Sequence, residues 1–168
     1  MMRKTFFAAF IFLLIPFYNP SGSFAEHAQP AVKASFFQSI IKAAGIQSEI
    51  ISSDPDSGYP SSVYMPYLRG SSVTIGFPPG GLRPGVPFLL EIDGTLATVI
   101  CTDDGKLTIL DGDRRMAATG IFSTLECLFS AILTMLSNLF DAILSLDILG
   151  ILESIVSGIL SIINCIIY

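Results

Sequence analysis

From Met116 to Tyr168 the chain carries no lysine or arginine, and its polar residues recur every three or four positions, at Ser123, Glu126, Ser130, Thr134, Ser137, Asp141 and Ser145. That interval is the repeat of an α-helix, so the segment reads as a helix with a narrow polar stripe and a wide apolar face. The pattern breaks around Asp147 and Gly150. It resumes with Glu153, Ser154, Ser157, Ser161 and Asn164 set among Ile151, Leu152, Ile155, Val156, Ile159, Leu160, Ile162 and Ile163. Two apolar helices in succession must bury their faces against the rest of the chain, a second chain, or lipid.

The cysteines bear on how those helices are arranged. In an antiparallel αα-hairpin, facing residues have numbers with a constant sum, and pairing Cys127 with Cys165 places the reversal near residue 146, where the pattern breaks. A Cys127–Cys165 disulfide is therefore expected, closing a loop whose restriction would stabilise the fold by about 4 kcal/mol. The competing reading makes all three cysteines, Cys101 included, buried small apolar residues; pairing through Cys101 or between chains is a further possibility. There is no CxxC and no histidine near any cysteine, which argues against thiolate metal binding.

Hydrophobic residues make up 51% of the chain and charged residues 14%, against roughly 25% charged in an ordinary soluble domain. This argues against a disordered chain and a basic nucleic-acid binder. Residues 1–25 read as a secretory signal, with basic Arg3 and Lys4, an apolar run from Thr5 to Phe17, and a small-residue site at Ser23-Phe24-Ala25. Removing it would leave seven basic side chains against fourteen acidic ones. Such a surface repels nucleic acid and anionic lipid, so any membrane association would be hydrophobic rather than electrostatic.

The remaining chain reads as α+β. Residues 26–48 hold a short N-terminal amphipathic helix, with Phe36, Phe37, Ile40, Ile41 and Ala44 at helical spacing and a stop near Gly45. Residues 49–72 are rich in Ser, Pro, Gly, Asp and Tyr and read as a linker with extended pieces. Residues 73–115 read as a small antiparallel β-meander of three or four strands, including Val73 to Phe77, Phe88 to Ile92, Thr95 to Thr102 and Lys106 to Leu110. Asp93-Gly94 is a two-residue hairpin signal, because both positions of that turn need positive φ. Asp104-Gly105 is expected to form a second turn of the same kind. Residues 116–168 are the C-terminal apolar αα-hairpin.

No group of residues points to a reaction, and the chain is expected not to be an enzyme and to hold no cofactor or metal. His27, the only histidine, lies close to the expected mature terminus, away from the buried carboxylate or thiol that imidazole catalysis needs. It would stand third, where it could chelate Cu(II), only if cleavage fell one residue early. Ser39-Ile40-Ile41-Lys42 has the S-x-x-K spacing but lacks its companion motifs. The pairs Asp54/Asp56, Asp103/Asp104 and Asp111/Asp113, with Asp93, miss the EF-hand spacing and read as turn residues rather than a Ca²⁺ site. Gly80-Gly81 lacks the Lys-Ser/Thr of a phosphate-binding loop.

Two helices of about 20 residues would each be about 30 Å long, the thickness of a bilayer core. The leading expectation is an exported, non-enzymatic protein whose hairpin associates with or inserts into a membrane. The contact is expected at Leu128, Ile132, Leu136 and Leu139 on the first helix and Ile155, Ile159 and Ile162 on the second. The alternative is a soluble secreted or periplasmic binding or assembly subunit, in which the same faces form a core, a homo-oligomer contact or a partner interface. The two separate on whether Glu126, Thr134 and Asp141 face water with the opposite faces covered by the sheet.

Overall fold

A computed structural model describes residues 30–53 and 58–168. The chain divides into two compact units, Met1–Pro30 and Ala31–Tyr168, and the second is the subject here. The expected signal segment, His27, Asp54 and Asp56 lie outside the described residues.

The unit is α+β. Helix α1, Ala34–Ala43, is followed by six strands, β1 (Glu49–Ser52), β2 (Ser61–Leu68), β3 (Ser71–Phe77), β4 (Phe88–Ile92), β5 (Thr95–Cys101) and β6 (Leu107–Gly112). A 3-10 turn at Arg114–Ala118 leads into α2, Gly120–Leu144, and α3, Ile148–Ile167. The strands form one antiparallel sheet in sequence order, so every connection joins neighbours. A bridge between Val32 and Leu82 ties the start of the unit to the β3–β4 connection. Gly81 permits this: a Cβ there would come within 2.7 Å of the Val32 carbonyl oxygen.

Alternation along the strands sets the core. Val63, Met65, Val73, Ile75, Phe77, Phe88, Leu90, Ile92, Ala97, Val99 and Cys101 are buried on one face, while their neighbours Tyr64, Thr74, Leu89 and Thr98 are half-buried. Phe37 of α1 packs edge-on against Phe77, with ring centroids 5.6 Å apart. Phe129 of α2 lies 5.9 Å from Phe37 and 5.3 Å from Phe88, joining both helices to the sheet.

The meander is larger than expected. The stretch 49–72, read as a linker, contains β1 and β2 and the two-residue turn Arg69-Gly70. Its composition hides the strands for identifiable reasons. All four residues of β1 are exposed, so no apolar alternation marks it. In β2, Val63 and Met65 alternate inward as a strand requires, but Pro66 interrupts the pattern. The fold accepts Pro66 because it lies beyond Tyr64, the last residue paired with β1, and within the register shift between Met65 and Leu68, so its missing N–H costs no ladder bond.

The turn at Asp93-Gly94 has both residues at positive φ, 49° and 80°, as expected. The connection at Asp104-Gly105 differs. It is a longer loop closed by Thr102 N–H donating to the Lys106 carbonyl and Gly105 N–H to the Thr102 carbonyl, with Gly105 alone at positive φ. Gly105 is required for a second reason, since a Cβ would fall 2.3 Å from Ser130 Cα where the loop meets α2.

Candidate functional site

The hairpin is the structure's most distinctive surface, and its two helices are started by side-chain caps. Thr119 Oγ1 accepts from Phe122 N–H at 3.2 Å to open α2, and Asp147 Oδ1 accepts from Gly150 N–H at 3.0 Å to open α3. Gly150, Ser154 and Gly158 let the helices approach closely: Ser154 and Gly158 are buried, and a Cβ at Gly158 would lie 2.4 Å from Met135 Sδ. Cys127 and Cys165 are joined in a disulfide with Cα atoms 5.6 Å apart, the pairing expected from the position of the reversal. A disulfide of this kind fits an oxidising compartment.

Helix α2 is held on the sheet by polar contacts as well as apolar ones. Leu107 N–H of β6 donates to Glu126 Oε1 at 3.0 Å, and Arg69 of the β2–β3 turn donates to Thr124 Oγ1 at 3.4 Å. From there along α2, Leu125, Leu128, Phe129, Ile132, Met135, Leu136 and Leu139 are buried. The stripe Ser123, Thr134, Ser137, Asp141 and Ser145 faces solvent, with Glu126 and Ser130 part-covered. Beside the disulfide and the Met135–Gly158 contact, Ser130, Thr134, Asn138, Ser157, Ser161 and Asn164 line an open groove of about 410 Å³ that carries no charged side chain.

Leu128, Ile132, Leu136 and Leu139, expected as an interface, are instead buried within the fold, and Ile162 is fully buried there as well. Ile155 and Ile159 remain part-exposed. The surface the expectation missed is the outward row Leu149, Leu152, Val156, Leu160 and Ile167 on α3, continued at the reversal by Phe140, Leu144, Leu146 and Ile148. Leu144, Leu146, Ile148 and Leu149 are each more than 60% exposed, and large apolar side chains left in solvent side by side mark an interaction surface. Helical spacing marked both helices as amphipathic, but nothing in the spacing tells which would meet the sheet.

The other candidate groups have structural duties. Ser39 Oγ donates to the Ser35 carbonyl at 2.8 Å, and both Ser39 and Lys42 are exposed. Asp93 Oδ1 accepts from Ser72 N–H at 2.8 Å, and this bond, with the Ser71 hydroxyl, holds its carboxyl below the usual value. Asp104 accepts from the Thr102 hydroxyl, which lowers its carboxyl too, and pairs with Lys106 at 3.6 Å. Asp113 caps the 3-10 turn by accepting from Arg115 N–H. Among the described residues no three His, Cys, Asp or Glu side chains converge on a point that could hold a metal ion. Cys101 is unpaired and buried, and burial pushes its thiol up to about 12, with Asp104, Asp103 and Glu126 adding repulsion against the thiolate. It is a packed apolar group rather than a nucleophile.

No protein-family model matches the chain, and no curated protein or solved structure is similar to it.

Proposed function

We propose that this is an exported, non-enzymatic protein that attaches to a lipid bilayer through the uncovered apolar surface of its C-terminal hairpin. The observation that carries the reading is the outward row of α3, Leu149, Leu152, Val156, Leu160 and Ile167, which lies in solvent over a helix about 30 Å long. Both helices have the length and apolarity of a membrane span. The polar stripe of α2 faces solvent and its apolar positions are buried, the arrangement expected of a soluble subunit. The two-helix span is therefore given up, and the reading is attachment of the uncovered α3 row at the bilayer surface. A removable signal at residues 1–25 and the disulfide support export into an oxidising compartment.

The test is co-flotation of the full chain with phosphatidylcholine vesicles. A variant with Leu149, Leu152, Val156 and Leu160 all changed to Gln leaves the sheet and α2 untouched. It is expected to stay soluble and folded, by circular dichroism, and to lose vesicle binding. Equal binding by the variant would sink the reading. Deleting the hairpin would be a poor substitute, since α2 is part of the core.

One observation favours a second reading, a contact between copies of the chain. The outward row of α3 is apolar along its length, and α3 has none of the basic residues that draw an amphipathic helix to anionic lipid. A dimer in lipid-free sedimentation that the same variant dissociates would establish it.

A further inference from the structure

The molecule ends two of its helices with the same backbone motif. After α1, Gly45 N–H donates to the Lys42 carbonyl and Ile46 N–H to the Ile41 carbonyl. After α2, Leu146 N–H donates to the Ile143 carbonyl and Asp147 N–H to the Ala142 carbonyl. Both are Schellman endings, whose pivotal residue sits in the left-handed region, where glycine is favoured. The first obeys the chemistry: Gly45 has φ 86°, and the following Ile46 is buried. The second puts Leu146 there, at φ 55° and 86% exposed.

Among the described residues the other two non-glycines at positive φ, Arg69 and Asp93, occupy hairpin turns that require it. Leu146 has no such excuse, and it sits in water besides. Its neighbours repeat the anomaly, with Leu144 68%, Ile148 62% and Leu149 78% exposed. The donors that end α2 are meanwhile bonded within the chain. Ser145, Leu146 and Asp147 N–H groups bond carbonyls of α2, Ser145 Oγ donates to the Asp141 carbonyl, and Asp147 caps Gly150. Internal bonding of these donors beneath projecting leucines lowers the cost of bringing the end of α2 into an apolar medium.

Resting on the membrane reading above, we infer that the α2–α3 reversal is the inserting tip, with Leu144, Leu146, Ile148 and Leu149 entering the acyl boundary of a zwitterionic, ammonium-bearing lipid surface. Asp141, Asp147 and Glu153 are exposed around this tip, and the hairpin carries no base. Carboxylates at headgroup level meet the outermost charge of phosphatidylcholine favourably and that of an anionic lipid unfavourably. Asp147, at the turn itself, also limits insertion to the depth of side chains, within the roughly 5–10 Å of an interfacial helix.

The deciding variant is Leu146→Gly, which removes the projecting side chain and gives the motif its favoured residue. Full-length protein is titrated with phosphatidylcholine vesicles and unfolded in urea. L146G is expected to unfold at higher urea and to bind vesicles about tenfold more weakly, the loss of one leucine's burial. V156Q/L160Q, farther along α3, is expected to weaken binding less than L146G does. Replacing a third of the lipid with phosphatidylglycerol is expected to reduce wild-type binding, and added salt to restore it.

Wild-type binding by L146G together with release of V156Q/L160Q would overturn the tip assignment while leaving membrane attachment standing. Stronger binding to phosphatidylglycerol would overturn the headgroup assignment. Failure of the wild-type chain to bind any vesicle would overturn the membrane reading itself, and the tip assignment with it.

Discussion

Helices α2 and α3 are both long, apolar and free of basic residues, yet one is a core element and the other is largely uncovered. In α2 the apolar positions from Leu125 to Leu139 are buried, Phe129 against Phe37 and Phe88 and Met135 against Gly158 of α3. In α3 only Ser154, Gly158, Ile162 and Cys165 are buried, and they form a narrow line. The polar residues of α3 lie to one side of that line, at Ser157, Ser161 and Asn164, and the larger apolar arc is left outside. Amphipathicity thus states that a helix has a face to cover; it does not state with what. A helix that turns its small residues inward and its leucines outward leaves an apolar face that its own fold does not cover.

The largest effect that would sharpen this contrast comes from the disulfide. Cys127–Cys165 ties α3 to α2, and opening its loop of sequence separation 38 is expected to cost about 4 kcal/mol. Urea unfolding of C127S/C165S measures it. Hydrogen exchange should show α3 amides losing protection well before those of α2; equal loss in both helices would mean that α3 is held as firmly as α2.

A matched pair of truncations comes next. Leu128→Ala empties a fully buried position on α2 and is expected to cost about 3 kcal/mol, whereas Leu160→Ala on the outer row of α3 should change stability by under about 0.5 kcal/mol in the absence of lipid. Comparable losses would show that the outer row is covered in solution, most simply by another copy of the chain.

The smallest effect probes the cover that α2 provides. Cys101 lines a small, partly open cleft with Phe129 and Ile132 of α2. Its folded-state thiol titrates near 12 against 9.0 in an unfolded chain, so between those values the unfolded state gives up its proton first and stability falls as pH rises. The stability difference between wild type and Cys101→Ala, followed in urea from pH 9.0 to about 12, is expected to shift against the wild type. A pH-independent difference would mean that water reaches the thiol and that the α2 seal is looser than its burial implies.

Much of this fold is legible in residues. The hairpin turn at Asp93-Gly94 follows from the only conformation those two residues serve well, and Phe88–Ile92 stands out as a strand by its apolar content and its turn flanks. The disulfide could be expected because antiparallel packing ties the two cysteine positions to the break in helical pattern. Strands β1 and β2 were hidden: an edge strand with every residue exposed has no alternation to read, and Pro66 obscures the alternation that β2 does have. Leu146 carried no sequence signal of its own, since a leucine beside a helix break is unremarkable until its φ and its exposure are known together.

By itself the sequence determined the local elements and the reversal, because periodicity, turn chemistry and cysteine positions act over short stretches of chain. It also determined that the last two helices would each carry an apolar face too wide to leave in water without consequence. Only the tertiary structure decided which of those faces the sheet would take. That choice is made by long-range packing, by Phe129 meeting Phe37 and Phe88 and by Gly105 admitting α2 at Ser130. No helical repeat encodes contacts between residues so far apart in the chain, and the outward row of α3 exists because those contacts went to its neighbour.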